Sequence, residues 1–499
     1  PPATPNPTSG SGTAGPPPTP PTPAPTVGPV QWPQPSAGDA ADQAAASGVQ
    51  VLNRPASTQS VGMRFAPAAG EVREVAPREA APGAWVNVYL PVSPELTNGS
   101  YVATVSDPIN LGVIGRTDWS VAGGTVMITP SAADDDIALP LALRASERAY
   151  VRIANPDPDE TANATIHFGG ASTAAAIAPG RFVTLAAPQG AALARIAADR
   201  PVVASALVFD LNVARAIHDV VGVGTDDAST QRWVTRAYRA APYDDALGVT
   251  RSSRIVVANP SAAAIDVTAH LAGDAGACAG QTVAIGPRFI AAGGVLAIDL
   301  AAESAVPEGC AGPVRLEGSG PFVANAVDHF LADGTPAAAA AVPAVASSEA
   351  GTDRAIPILR LAHTALRLTT DVSVVNPDSQ PHTVTLTATD SRGIPVGVSN
   401  GSVVLPPGGG HVFRGALVLG SIRGSYGTGR IQSDGPVLVR ADDIPATGRH
   451  DASALLAVAA GSQPAPRLGD GIIFWAERGG SIADSSGPIP TPDPTPAPR

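Results

Sequence analysis

A short alternating motif that ends in asparagine occurs four times along the chain, at intervals of 102, 104 and 117 residues. Its copies end at Asn53, Asn155, Asn259 and Asn376, and the residues two and four places before each asparagine are β-branched and apolar. Apolar and polar residues that alternate with a period of two indicate a half-buried strand. Asparagine side chains bond nearby backbone in turns, so we interpret these four residues as turn-formers of repeated domains.

The same landmarks follow each copy: a second alternating strand, a proline turn, and a polar turn that ends in a second proline. The second prolines are Pro108, Pro201, Pro321 and Pro436. Proline presets φ and lacks an N–H, so we predict a corner between two strands at each of them. Turn signals every 8–12 residues or so are typical of sandwiches. The fold class predicted is all-β: a tandem array of about four Ig-like antiparallel β-sandwich domains flanked by extended proline-rich tails.

The predicted boundaries follow the motif. They are an extended Pro/Thr-rich segment at 1–47, sandwich repeats at 48–136, 137–230, 231–350 and 351–478, and a Pro/Thr-rich tail at 479–499. Both proline-rich ends are expected to be polyproline-II spacers. The fourth repeat includes an extra strand at 471–477, which we predict to add to a sheet edge in a neighbouring molecule. Short joins between the repeats predict a stiff rod.

Charge and hydropathy exclude two classes of function. The net charge is −12 and the chain contains no lysine, whereas nucleic-acid binding needs a basic surface. An acidic chain is also a poor ligand for anionic lipid. The sequence has no uninterrupted apolar run near the 18 residues or so of a membrane helix, so no membrane span is predicted.

The two cysteines, Cys278 and Cys310, lie in the third repeat. Neither belongs to a CxxC motif or adjoins a histidine, so metal binding and redox catalysis are poorly supported. We predict a disulfide between them, with free thiols as the alternative. In the chain-entropy description a bridge over this loop stabilises the fold by about 3–4 kcal/mol. It would also indicate an oxidising, extracytoplasmic location.

No catalytic motif stands out, so we predict no catalytic, cofactor-binding or metal-binding residues and no enzyme activity. The eight histidines are scattered, and the chain has no HExxH motif, GxSxG elbow or P-loop. Acidic clusters occur at 134–136, 157–160, 226–227, 244–245 and 442–443. We interpret them as solvated loops. Calcium bound at these loops is the alternative, because oxygen-rich loops can bind this ion. A pair of catalytic carboxylates, as in a glycosidase, is the third and weakest interpretation.

The combination resembles secreted bacterial surface and filament proteins built from Ig-like β-sandwich repeats with Pro/Thr-rich spacers. In the second repeat the resemblance rests on Leu139-Pro140, Asn155, Ala178-Pro179-Gly180 and Asp199-Arg200-Pro201. It covers about residues 48–460, and the third repeat departs most through its cysteines and longer loops. The resemblance implies an extracellular structural or adhesive role.

These observations predict a secreted structural protein, extracellular or at the cell surface, that forms or decorates a filament, sheath or surface layer. Its main partner would be another copy of the chain, bound through the proline-rich tails and strand edges, and glycans are a further candidate. The alternative functions are a cell-surface adhesin or carbohydrate-binding module, and a non-catalytic part of a secreted hydrolase.

Overall fold

The structure is a computed structural model. It describes residues 45–53, 57–82, 85–89, 93, 96, 99–105, 111–119, 124–128, 133–210, 217–244, 249–332, 335–361, 369–390, 393–415, 425–444, 453–456, 458–459, 467–468 and 471–478. All of them belong to the second of the two compact units of the chain, Pro35–Arg499. The predicted proline-rich segments at 1–47 and 479–499 lie outside the described residues, except for 45–47 in the first strand.

The described residues form antiparallel strands joined by turns and by two short 3-10 helices, Gly276–Cys278 and Ser347–Glu349. The predicted all-β fold of tandem sandwich-like domains is confirmed. The first domain contains β1 (Ala45–Asn53), β2 (Gln59–Pro67), β3 (Arg73–Ala80), β4 (Trp85–Tyr89), β5 (Gly99–Val105), β6 (Leu111–Trp119) and β7 (Gly124–Ile128). The second contains β8 (Asp134–Pro140), β9 (Glu147–Ala154), β10 (Ala162–Phe168), β11 (Ala171–Ile177), β12 (Phe182–Ala186), β13 (Leu193–Asp210), β14 (Ile217–Val221) and β15 (Val223–Gly224).

The strands of the remaining domains follow the same plan. The third domain contains β16 (Ser229–Arg239), β17 (Ala241–Asp244), β18 (Val249–Ala258), β19 (Ile265–Ala272), β20 (Thr282–Ile290), β21 (Val295–Asp299), β22 (Cys310–Ala332) and β23 (Thr335–Pro343). The fourth contains β24 (Gly351–Leu361), β25 (Thr369–Val375), β26 (His382–Asp390), β27 (Pro395–Val396), β28 (Ser402–Leu405), β29 (Gly410–Phe413), β30 (Ser425–Ile444), β31 (Ser453–Leu456) and β32 (Val458–Ala459). Two strands end the series, β33 (Arg467–Leu468) and β34 (Gly471–Arg478).

One long strand joins the two layers of the sandwich in the second, third and fourth domains. In the second domain the first half of β13 pairs with β8 and β10, and its second half pairs with β9 and β14. The strand order is β11-β10-β13-β8-β15 in one layer, while β12, β9, β13 and β14 make the other. The long strands β22 and β30 do the same in the third and fourth domains. In the first domain two separate strands replace the long strand: β5 corresponds to its first half and β6 to its second half.

The predicted proline corners are not hairpin turns. Pro201, Pro321 and Pro436 lie inside β13, β22 and β30, at the points where each strand passes from one layer to the other. On β13, pairing with β10 ends at Ala198 and pairing with β9 begins at Val203. Proline is tolerated there because these residues fall between the two ladders. Pro108 lies outside the described residues.

The core of each sandwich follows the alternation seen in the sequence. On β10 the residues Ala162, Ala164, Ile166 and Phe168 are buried, and they pack with Ile153 and the other inward-facing residues of the second domain. Most members of this cluster are Ala, Val, Ile or Leu. Burying one Val, Leu or Ile side chain contributes about 1.5–3 kcal/mol, so many small contacts stabilise each layer pair.

The last strand completes the first domain rather than the fourth. In the second to fourth domains, a leading strand (β8, β16 or β24) pairs with the first half of the long strand. In the first domain this place belongs to β34, which pairs with β5 from Ile472↔Val105 to Arg478↔Gly99. The prediction that 471–477 extends the fourth repeat therefore differs from the structure. Its cause is non-local: β5 pairs with β2 on one side, and its other side is completed only by β34.

The four domains contact one another in a closed cycle. The last full strands of the domains, β7, β14, β23 and β31, meet in that order, and β31 contacts β7 again. The leading strand β24 of the fourth domain also contacts β6 of the first. A stiff rod, as predicted from the short joins, would have contacts only between consecutive domains, so that prediction is wrong for the described residues. The return of β34 to the first domain is consistent with this closure.

Candidate functional site

The four repeat asparagines hold equivalent positions and are all buried. Each Nδ2 donates to a carbonyl oxygen four or five residues later and to another at or just after the end of a strand in the other layer. For Asn155 the acceptors are Glu160 at 2.8 Å and Ile177 at 2.9 Å, and its Oδ1 accepts from the N–H of Asp157 at 3.0 Å. The asparagines therefore tie one turn in each domain and do not come together in a shared site.

Asn53 differs from the other three at its acceptor atom. The residue two places later is Pro55, which has no backbone N–H to donate. Within the described part of the chain, Asn53 Oδ1 has no hydrogen-bond partner. The turn of the first domain is therefore held by the two bonds that Asn53 donates, to Ser57 and Ala80, both at 2.8 Å.

Cys278 and Cys310 are joined in a disulfide, with a Cα–Cα distance of 5.2 Å. Both residues are completely buried in the core of the third domain. The bridge ties the 3-10 helix Gly276–Cys278 to the first residue of β22. Its place in the core gives it a structural role and leaves neither sulfur as a thiol.

The acidic clusters are distributed over the molecule. Asp136 pairs with Arg195, and the side-chain hydrogen bond from Arg195 lowers the Asp136 pKa. Asp157 pairs with Arg200 at 3.0 Å. Asp442 and Asp443 were predicted to lie in a solvated loop. In the structure they are buried in the fourth domain. Among the described residues, no three His, Cys, Asp or Glu side chains are grouped so that they could bind a metal ion.

A buried ionic cluster lies where the third and fourth domains meet. Arg440 on β30 pairs with Asp328 on β22 and, at 2.7 Å, with Asp442. It also donates to the carbonyl oxygen of Arg236 at 3.2 Å, and its side chain is only 1% exposed. Burial alone would lower the Arg440 pKa, but the charges of Asp328 and Asp442 outweigh burial and raise it. The cluster fixes the fourth domain against the third.

A second buried cation, Arg251, lies beside this cluster against three aromatic rings. Its guanidinium carbon is 4.9 Å from the ring centre of Tyr238 and 4.6 Å from those of Tyr243 and Phe330. Its Nη1 donates to the Tyr238 hydroxyl at 2.7 Å. Cations over aromatic faces are stabilised by the ring quadrupole, most strongly where water is excluded. Ile444 of the fourth domain packs in the same apolar cluster as Phe330.

The second and third domains meet through mixed contacts. Asn325 donates to the carbonyl oxygen of Pro140 at 2.9 Å, and Arg254 donates to that of Ala142. Arg144 pairs with Asp299 at 3.2 Å. A small apolar cluster that includes Ala138, Ala258 and Val323 lies beside them. The second domain contributes the end of its leading strand β8 and the residues just after it to these bonds. This region includes Leu139-Pro140, one of the short motifs of the repeat.

Two buried histidines face each other across the same contact. The rings of His218 on β14 and His329 on β22 lie edge to face with centroids 6.5 Å apart. Burial, followed by the charges of Arg254 and Arg144, lowers the His218 pKa to about 3. Burial and the same cations lower the His329 pKa well below its usual value. Both imidazoles are therefore neutral near pH 7.

Strand edges are the remaining candidate surface. In each domain an outer strand pairs on one side only within the described residues: β3, β11, β20, and β27 with β28. Three of these edges are interrupted. Ala76-Pro77 bulges from β3, Gly286-Pro287 bulges from β20, and residues 397–401 separate β27 from β28. Only β11 pairs with its neighbour through seven consecutive residues without a break.

The sequence did not reveal the ionic clusters or the special character of β11. Arg440, Asp328 and Asp442 are spread over two repeats, and nothing in their spacing indicates contact. The signal for β11 was available, since Ala171–Ile177 contains no charge, proline or glycine. No helix among the described segments has the length and hydrophobicity of a membrane span.

Comparison with known proteins adds little. No family model matches the chain, and no curated protein matches it. Among solved structures it is similar to a tetra-tandem repeat in the extending region of a large adhesion protein, with 14% identity, 85% of this chain and 98% of that chain covered, and a TM-score of 0.11. It is also similar to the BSP domain of a biofilm-associated protein, with 8% identity, 84% and 91% covered, and a TM-score of 0.13. Because the TM-scores are this low, we base the functional proposals on the contacts of this chain itself.

Proposed function

We propose that the protein is a secreted structural protein that self-associates through a strand edge in an extracellular filament, sheath or surface layer. The observation that supports this most is the uninterrupted edge of β11 (Ala171–Ile177). Natural proteins guard exposed strand edges with prolines, bulges, charges or short strands, because an open edge pairs with other chains. Three of the four equivalent edges are guarded in this way and one is not.

The composition of β11 suits pairing with a second copy of itself. Its seven residues are uncharged, and Ser172 and Ala174 are exposed with small side chains. Two β11 strands that pair antiparallel about Ala174 would place Ala171 opposite Ile177, so the contact is self-complementary. Such an isologous contact gives a twofold dimer. The unpaired backbone N–H and C=O groups of both edges would then be satisfied.

Buried polar groups elsewhere support a structural rather than a catalytic role. The Arg440 cluster and the contacts of Arg254 lie inside the molecule and join one domain to the next. The disulfide and the Pro/Thr-rich ends are typical of secreted proteins. In the proposed assembly the four domains act as one block, and the Pro/Thr-rich ends act as tethers.

Charge placed on β11 tests the proposal directly. In the variant Ala174→Lys, self-pairing brings two lysines opposite each other, which destabilises a strand pair by up to about 1 kcal/mol. We expect the dissociation constant of the dimer to rise about fivefold, measured by sedimentation velocity. The matched control is Ala284→Lys, at an exposed position of the guarded edge β20.

Complementary charges provide the decisive second arm. An equimolar mixture of Ala174→Lys and Ala174→Glu chains should associate again, because each lysine then lies opposite a glutamate. Electron microscopy of the wild-type protein at high concentration should show twofold pairs as the smallest assembled unit, since a β11 contact alone closes as a dimer. Wild-type chains that remain monomeric throughout, or an Ala174→Lys variant that associates as well as the wild type, would refute the proposal.

A second candidate is a cell-surface adhesin or carbohydrate-binding module. It is favoured by Phe289, which is 69% exposed on β20 and follows the exposed Arg288. Exposed aromatic rings are common where proteins contact sugars or other proteins. Binding of glycans by chains that stay monomeric, lost in Phe289→Ala, would favour this function over self-association.

A further inference from the structure

The first domain depends on a strand from the far end of the chain. In the other domains the leading strand comes shortly before the asparagine-terminated strand: β8 directly precedes β9, β24 directly precedes β25, and β17 alone separates β16 from β18. The asparagine-terminated strand of the first domain is β1, the first strand of the described residues. The leading position beside β5 is filled by β34, more than 350 residues further along the chain.

β34 is held mainly by one partner strand. Its seven residues Ile472–Arg478 pair with β5. It also pairs with the short strand β33 at Gly471 and Ile472, and it meets β1 at one position, Ala46↔Arg478. The β5 residues Tyr101, Val102, Ala103 and Val105 are all buried. Without β34 the backbone of β5 would present an open edge beside this core, which is the kind of edge that accepts a strand from another chain.

We propose that the first domain is a strand-accepting site and that, in the assembly, β34 of one copy occupies the first domain of the next copy. The proposal rests on the proposed self-association. The same β5–β34 bonds form whether the strand comes from the same chain or from another, so exchange costs few contacts. Eleven residues separate Ala459 of β32 from Gly471. With β33 (Arg467–Leu468) released from β34, this segment can span up to about 40 Å when fully extended.

Exchange of β34 supplies a contact that can propagate from copy to copy, which a β11 pair cannot do. An isologous β11 pair closes as a dimer and extends no further. A copy that donates β34 to its neighbour leaves its own first domain open for the β34 of another, so this contact is heterologous and propagates. Closure within one chain is favoured at low concentration by a high effective concentration of β34. Exchange is therefore expected in the concentrated assembly and closure in the dilute protein.

Cysteine crosslinking distinguishes the two states. The chain has two cysteines and both are in the disulfide, so introduced cysteines are the only free thiols. Ser100 and Glu477 are directly paired on β5 and β34. Chains carrying Ser100→Cys alone and Glu477→Cys alone are mixed dilute, concentrated until they associate, and oxidised. Covalent dimers on non-reducing gels are the expected result, with fewer than a tenth as many when the mixture is oxidised dilute.

Two controls fix the interpretation. The double variant Ser100→Cys/Glu477→Cys, oxidised dilute, should form an intrachain bond, which shows that the register is correct. A mixture of Ser100→Cys with Ile473→Cys, four positions out of register, should give no covalent dimer in either condition. Chains that associate but form no Ser100–Glu477 crosslink between copies would overturn strand exchange and leave the proposed function standing. Chains that do not associate at all would overturn both.

Discussion

The contact between the first and second domains is made mainly by apolar side chains, and the buried ion pair on this face, Arg152 with Asp219, lies within the second domain. At the contact between the third and fourth domains, an ion pair crosses from one domain to the other. Tyr150, Leu207 and Phe209 of the second domain belong to the same buried cluster as Phe65 and Tyr101 of the first. At the third–fourth contact Arg440 of the fourth domain pairs with Asp328 of the third. Apolar contacts are non-directional, while a buried charge requires its partners in fixed positions. The two contacts therefore differ in whether a buried ion pair joins one domain to the other.

This difference indicates which contact fixes the orientation of one domain relative to the next. Burying Leu207 and Phe209 stabilises any arrangement that covers them, and the bonds from Arg181 to the carbonyl oxygens of Pro67 and Gly70 add direction. Arg440 has three partners, of which Asp328 and Arg236 belong to the other domain. We expect loss of Arg440 to disturb the third–fourth contact as a whole, and loss of an apolar side chain to weaken the first–second contact by degrees.

The largest effect is expected from Arg440→Met. It leaves Asp328 and Asp442 buried without their cation, which costs about 3–5 kcal/mol of the free energy of unfolding. Urea unfolding followed by circular dichroism measures this loss. As a control, the triple variant Arg440→Met/Asp328→Asn/Asp442→Asn should recover much of the stability, because it leaves no uncompensated charge. A loss below about 1 kcal/mol, as for an exposed ion pair, would contradict the role given to the cluster.

A smaller effect is expected from Leu207→Ala at the apolar contact. Removing a buried leucine side chain costs about 2–5 kcal/mol, and the lower part of that range applies if the two domains close over the cavity. The matched control is Val208→Ala, because Val208 faces the core of its own domain. Hydrogen exchange should show amides of the first domain opening more readily in Leu207→Ala but not in Val208→Ala. Equal exchange in the two variants would show that the contact contributes nothing across domains.

The sequence predicted the parts of this architecture that depend on local pattern. Alternation indicated the strands, and the residues that alternate on β10 are those that are buried. Three features depend on distant contacts and could not be read from the chain. Pro201 was predicted to lie at a corner between two strands. It lies within one strand, β13, at the point where pairing passes from one layer to the other. Asp442 was assigned to a solvated loop because acidic residues are rarely buried without a partner, and its partner cluster reaches into another domain. The position of β34 follows only from the open edge of β5.

The contact between the second and third domains combines both kinds of interaction and is expected to respond to pH. The folded-state pKa of His218 is about 3, below its ordinary value of 6.5, so the unfolded chain binds a proton more readily between these values. Stability contributed by neutral His218 and His329 is therefore complete above about pH 6.5 and is lost as the pH falls toward 3. We expect the wild type to lose on the order of 1–3 kcal/mol between pH 7.5 and pH 5.

The double variant His218→Phe/His329→Phe isolates this term, because phenylalanine cannot be protonated and keeps the buried rings. Urea unfolding of both proteins at pH 7.5, 6.5, 5.5 and 5.0 gives the difference in their pH slopes. Leu207→Ala should retain the wild-type slope over this range, since it removes no titratable group and lies in the first–second contact. A double variant as acid-sensitive as the wild type would show that the histidines do not govern the second–third contact.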